Sequence, residues 1–76
     1  MKIHVMGPGC PKCAQTEQTV REAVAEAGVE AEIIKVKDFK EIAAFGVFST
    51  PAVAVDGVVR VTGRAPDKAE VLDWLK

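Results

Sequence analysis

Polar and apolar residues alternate over positions 2–6, Lys-Ile-His-Val-Met, a period of two that predicts a short strand. Gly7-Pro8-Gly9 ends it. The pattern then lengthens to that of a helix. From Pro11 to Ala27 the chain is rich in Ala, Gln and Glu, with Arg21 among them, and Val20, Ala23, Val24 and Ala27 recur at helical spacing. Pro11 suits the first helical turn, where its missing N–H costs nothing, and Gly28 supplies the stop. Residues 31–37, AEIIKVK, are rich in β-branched side chains and predict a second strand. Asp38, with Glu41 three positions on, has the pattern of a capped helix. Its apolar side is predicted to be Phe39, Ile42, Ala43 and Phe45, and its end Gly46. Residues 51–55, PAVAV, form a third predicted strand, and Asp56-Gly57 is a two-residue hairpin signal into a fourth, VVRVT at 58–62. Gly63 breaks that strand. Asp67 with Glu70 repeats the capping pattern, and Val71, Leu72, Trp74 and Leu75 form the buried side of a short last helix.

The predicted order is β-α-β-α-β-β-α, an α/β chain. Strands joined through a helix should be parallel, with a right-handed crossover, and the last two strands should form an antiparallel hairpin. A mixed four-stranded sheet covered by three helices follows. The sequence has no linker, repeat or low-complexity stretch, so residues 1–76 are expected to form a single domain.

Composition narrows the class. The chain is 49% hydrophobic and 28% charged, as in a globular protein, and its formal net charge is −1 with the signs interspersed. Neither a nucleic-acid nor a membrane surface is expected. The apolar run before Gly7 is too short for a signal peptide, and no stretch is long enough to span a bilayer. The expected location is the cytoplasm, where disulfides are usually transient and catalytic. The chain is expected to act as a monomer.

The two cysteines, Cys10 and Cys13, flank Pro11 and Lys12. Such a pair is a structural staple, half of a metal site, or a dithiol that cycles with its disulfide. As a staple it is weak, because closing so short a loop removes only about 2 kcal/mol of chain entropy. A sulfur at the start of the first helix faces unpaired N–H groups and a partial positive charge, which stabilise its thiolate. Cys10 is therefore placed to attack. Cys13, one turn along, is within disulfide reach and placed to resolve the mixed disulfide. Lys12 adds a small electrostatic push, and the glycines flanking Pro8 leave little bulk over the sulfur.

The second feature is FSTPAVAV, residues 48–55, in which Pro51 opens a strand without a ladder donor. A CPxC motif after a first strand, a Thr-Pro opening the third, a hairpin and a terminal helix together resemble the thioredoxin/glutaredoxin superfamily. The likeness is to its glutaredoxin-sized thioredoxins, the redox-active disulfide proteins of archaea and anaerobic bacteria, and it covers essentially the whole chain. The resemblance implies a thioredoxin-like fold, Cys10 as nucleophile and Cys13 as resolving thiol. It implies a cis-proline at Pro51 and a Thr50 backbone that pairs with an extended substrate segment. Gly63 matches the small residue lining the substrate groove, and Pro11 and Lys12 complete the substrate-facing set. No bound cofactor and no metal are required. The implied partners are disulfide-containing proteins and a flavin-containing thioredoxin reductase that supplies electrons.

The sequence also departs from that pattern. Gly9 stands where thioredoxins usually carry Trp. The first strand lacks the buried carboxylate that helps deprotonate the resolving thiol, so another base or water must serve. Thr50 abuts Pro51 directly and VTGRAPD has one Gly, unlike glutathione-binding glutaredoxins, so a protein disulfide is the expected substrate. Arg64 and Lys12 are the residues that would meet a glutathione carboxylate. His4 reads as a satisfied sheet histidine rather than a base or ligand. Trp74, Phe39, Phe45 and Phe48 read as core, with a rim beside the Thr-Pro turn as the alternative for Phe48. Met6 reads as core filling, and Arg60, Arg64 and Lys68 as solvated charges rather than a docking patch. The rival class is a small metallochaperone-like module whose CxxC holds a soft ion. Its order, β-α-β-β-α-β, ends on a strand, and neither Pro11 nor Thr50-Pro51 is expected in it.

Overall fold

The structure, a computed structural model, describes residues 1–8 and 11–75. Its elements are β1 (Lys2–Met6), α1 (Pro11–Ala27), β2 (Glu32–Val36), α2 (Phe39–Ala44), β3 (Ala52–Val55), β4 (Val58–Thr62) and α3 (Lys68–Trp74). The sheet order is β2-β1-β3-β4. β1 and β2 are parallel in the register Lys2↔Glu32 to Met6↔Val36. β3 runs antiparallel to β1, from Ile3↔Val55 to Met6↔Ala52, and pairs antiparallel with β4 across an irregularity at Val53/Ala54. A helix between β2 and β3 and another after β4 distinguish this order from that of the metal-binding module.

Strand alternation sorts the core into two layers. Ile3, Val5, Val53, Val55 and Val61 meet Val20 and Ala23 of α1 and Val71 of α3 on one face. Met6, Val36, Ala52 and Ala54 meet Ile42 of α2 and Val47 on the other. Because helices cover both faces, all four residues of β3 are buried. Trp74 is half-buried against the first layer, Phe45 packs against the second, and Met6 is fully buried.

Local signals set the element ends. Asp56 and Gly57 both take positive φ, 50° and 84°, as the tight hairpin requires. The Asp38 side chain accepts from the Lys40 N–H at 2.8 Å, one position short of a capping box. At α3 the box forms in full: Glu70 N–H donates to Asp67 Oδ1 at 2.9 Å, and Asp67 N–H to Glu70 Oε1 at 3.5 Å. Replacing Asp67 by Ala should cost about 1 kcal/mol. In a domain of this size a thermal melt should then show a loss of roughly 4–8 °C.

Candidate active site

Three segments converge at one end of the sheet. β1 ends at Met6, and Gly7 extends its pairing by donating to Val36 O at 2.9 Å. β3 begins opposite Met6, so the Thr50–Pro51 segment arrives at the same end. α1 starts there too and carries Cys13 in its first turn, 6% exposed. The contact among the three is close. A Cβ added to Gly7 would overlap Cys13 Sγ and lie 3.1 Å from Cys13 Cβ and 3.8 Å from Thr50 Cβ. Glycine is needed at position 7 because the sulfur occupies the space a side chain would take.

The Thr50–Pro51 peptide bond is cis, and Pro51 is buried. Its carbonyl accepts from Gly63 N–H at 3.0 Å. Gly63 takes φ +77°, and a Cβ there would touch Ser49 at 3.4 Å. Gly63 is thereby drawn to the proline segment. Pro11 and Lys12 are exposed on the first turn of α1, and the Lys12 carbonyl accepts from buried Thr16 Oγ1 at 2.8 Å. Cys10 and Gly9 lie outside the described residues, so the nucleophile assignment rests on the sequence.

Two clefts border this end. One, about 180 Å³, is lined by Val5, Gly7, Cys13 and Ala14, with Glu17, Lys35 and Lys37 contributing charge. Glu17 is four residues beyond Cys13 on α1 and is held by two cations, Lys35 Nζ at 3.0 Å and Arg21 Nε at 2.9 Å. Hydrogen bonds from Lys35 first and Arg21 second hold its carboxyl below the usual range. The other cleft, about 250 Å³, is apolar and runs from Thr50 along Ile42, Ala43 and Val47 to Phe39 and Phe48.

Several sequence expectations need correction. Phe39 and Phe48 are 65% and 88% exposed, not core. A six-residue helix buries one stripe, and Ile42, followed by Val47, fills it, leaving both rings at the apolar cleft. His4 stands mid-strand, but its buried Nδ1 finds no hydrogen-bond partner among the described residues, and its ring is tilted against Phe45 at 4.9 Å. It packs on the α2 face, whereas Val5 lines the Cys13 cleft. Arg64 and Lys68 are exposed surface charges as expected, Arg64 engaged by Glu70 in a two-pronged pair at 2.7 and 2.6 Å and Lys68 by Glu26 at 2.7 Å. Sequence reasoning gave Gly7 only the part of leaving space over the sulfur, and it passed over Glu17, Lys35 and Lys37. Glu17 alone carried a signal, its helical spacing from Cys13.

A mixed sheet in the order β2-β1-β3-β4, with a cysteine in the first turn of α1 and a cis Thr-Pro at the same end of the sheet, defines a thioredoxin-like protein. The thioredoxin domain family model matches residues 1–76, and the chain belongs to that family. The chain is 49% identical over 74 residues to a thioredoxin of Methanocaldococcus jannaschii, covering 97% of this chain and 85% of that protein. It is 41% identical over 71 residues to a thioredoxin of Methanothermobacter thermautotrophicus, covering 93% and 92%. A probable thioredoxin of Methanothermobacter marburgensis is 34% identical over 77 residues, covering 96% and 89%. The protein is thus a thioredoxin-like member of a thiol-disulfide oxidoreductase family. Among the described residues no helix is long and apolar enough to cross a membrane.

Proposed function

We propose that the protein reduces disulfides in other proteins through Cys10 and Cys13. The Cys10 thiolate attacks one sulfur of a substrate disulfide, and the other substrate sulfur leaves as a thiolate. A mixed disulfide joins Cys10 to the substrate. The Cys13 thiolate then attacks the Cys10 sulfur, forming the Cys10–Cys13 bond and releasing the remaining substrate sulfur. Two electrons pass to the substrate, and a separate flavin-containing thioredoxin reductase restores the dithiol. The electron pair resides on the cysteines themselves, so the cycle uses no bound cofactor. A reducing compartment suits it, which points to the cytoplasm.

The observation that carries this reading is the meeting of Gly7, Cys13 and Thr50 at one end of the sheet. The Thr50 backbone is the place for an extended substrate segment to pair. The apolar cleft reaching from Thr50 to Phe48 then receives a side chain near the substrate cysteine. Turnover of insulin disulfides, with dithiothreitol or a thioredoxin reductase as donor, tests the reading. No acceleration over donor alone would refute it.

Phe48 sets a further expectation. Phe48→Ser should raise KM for a protein disulfide on the order of fivefold, the equivalent of ~1 kcal/mol of lost apolar contact. A small aromatic disulfide, which does not reach the cleft, should react at the unsubstituted rate. Equal effects on both substrates would remove Phe48 from substrate binding.

A further inference from the structure

The segment that leads into β3 is walled on two sides, because β3 lies between β1 and β4 in the sheet. On the β1 side stand Gly7 and Cys13, close to Thr50. On the β4 side stands Gly63, whose N–H donates to the Pro51 carbonyl at 3.0 Å and whose backbone lies against Ser49. Gly63 opens the loop 63–67 between β4 and α3. Among the described residues, the backbone of residues 64–66 makes no hydrogen bond. Side chains hold the loop instead. Buried Pro66 pins its far half. The near half, next to Gly63, is held by Arg64, whose Nη1 donates to Glu70 Oε1 at 2.7 Å and Nη2 to Glu70 Oε2 at 2.6 Å.

Exposed ion pairs as a rule contribute little, because two flexible side chains must be held still in water. Geometry sets this one apart. A guanidinium and a carboxylate joined by two bonds fix orientation as well as distance. The carboxylate is also held from its own side. Glu70 sits in the first turn of α3, its Oε1 accepts from the Asp67 N–H at 3.5 Å, and Val71 beside it is fully buried in the core. The hydrogen bond from Arg64 keeps the Glu70 carboxyl below the usual range, so the pair stays charged at neutral pH.

We infer that Arg64 and Glu70 form a strap that fixes the Gly63 wall against the Pro51 segment and so sets the width of the slot in which a protein substrate lies. Both are positioning residues, acting through Gly63. The consequence for turnover rests on the reading that an extended substrate segment pairs at Thr50. Such a segment fills the slot and meets both walls, whereas a small aromatic disulfide does not.

The test joins amide hydrogen exchange with kinetics on the full chain. Arg64→Met should speed exchange of the Gly63 N–H on the order of fivefold, the upper range for a well-made surface pair, and leave the Val71 N–H unchanged. KM for insulin disulfides should rise by a similar factor at constant kcat, and a small aromatic disulfide should react at the unsubstituted rate. Glu70→Gln keeps an acceptor for the Asp67 N–H but loses the charged two-pronged pair. It should reproduce Arg64→Met, and the two changes together should add little to either. Arg64→Lys keeps the charge without the fork and should also behave like Arg64→Met. A lysine that restored KM would make residue 64 a charge contact with the substrate and overturn the strap. Asp67→Ala weakens the α3 cap and controls for plain loss of stability, so its KM should stay in place. An equal KM rise there, or unchanged Gly63 exchange in both Arg64→Met and Glu70→Gln, would also overturn the inference. If Arg64→Met does not fold, Glu70→Gln and Arg64→Lys decide. Because exchange needs no turnover, faster Gly63 exchange in variants of a protein that fails to reduce insulin would sink the proposed function and leave the strap standing.

Discussion

Cys10→Ser should abolish disulfide reduction, and Cys13→Ser should stop the protein halfway with substrate still attached. The asymmetry follows from the roles. Without Cys10 no nucleophile reaches the substrate, and turnover falls to the uncatalysed background, a loss larger than the roughly 10²–10⁴-fold that a general base contributes. Without Cys13 the first attack proceeds, but nothing displaces the substrate from the Cys10 sulfur. The adduct should appear by mass spectrometry as one substrate per chain, reversible with dithiothreitol. Burial supports the split: Cys13 is 6% exposed, pressed against Gly7, and poorly placed to meet a disulfide arriving from solution. Adducts of equal yield on both variants would show that the two sulfurs are interchangeable and the assignment wrong.

The fold could be read from the sequence because each element carried its own signal. Alternation in KIHVM, the uninterrupted Pro11–Ala27 segment, the Asp56-Gly57 turn and the Asp67/Glu70 pair are local features, and local features fix local structure. Where the reading failed, the deciding facts were tertiary. Phe39 and Phe48 look like core in any hydrophobicity count, and only the docking of α2 through Ile42 shows which apolar residues the sheet has room for. The cleft beside Cys13 draws on three elements. Lys35 reaches it by the parallel register that sets it beside Val5, and Glu17 by its place on α1. The sequence reading noted that the first strand lacks a carboxylate, but not that α1 supplies one beside the same thiol. Gly7 reads in the sequence as a strand terminator that leaves little bulk over the sulfur, and that its own Cα packs directly against Cys13 is set by how α1 lies on β1.

That contact makes Gly7→Ala the most disruptive single-methyl change to expect near the site. A new Cβ would overlap Cys13 Sγ and crowd Cys13 Cβ, with Thr50 closing the same space. The backbone there cannot retreat easily, since Gly7 N–H is bonded to Val36 O at 2.9 Å. The sulfur sits in the first turn of a helix whose next turn is fixed by buried Thr16 and Val20. Overpacking of this kind costs about 1–3 kcal/mol. For so small a domain that means a fall of roughly 4–20 °C in melting temperature. Steric cause can be separated from backbone cause by a double-mutant cycle. Cys13→Ala removes the sulfur, so Gly7→Ala should cost less in that background, with a coupling of about 0.5–3 kcal/mol. If Gly7→Ala is equally costly with and without the sulfur, the glycine serves the backbone rather than the thiol. The close packing of Gly7 against Cys13 would then lose its place in the account of how this site holds its resolving cysteine.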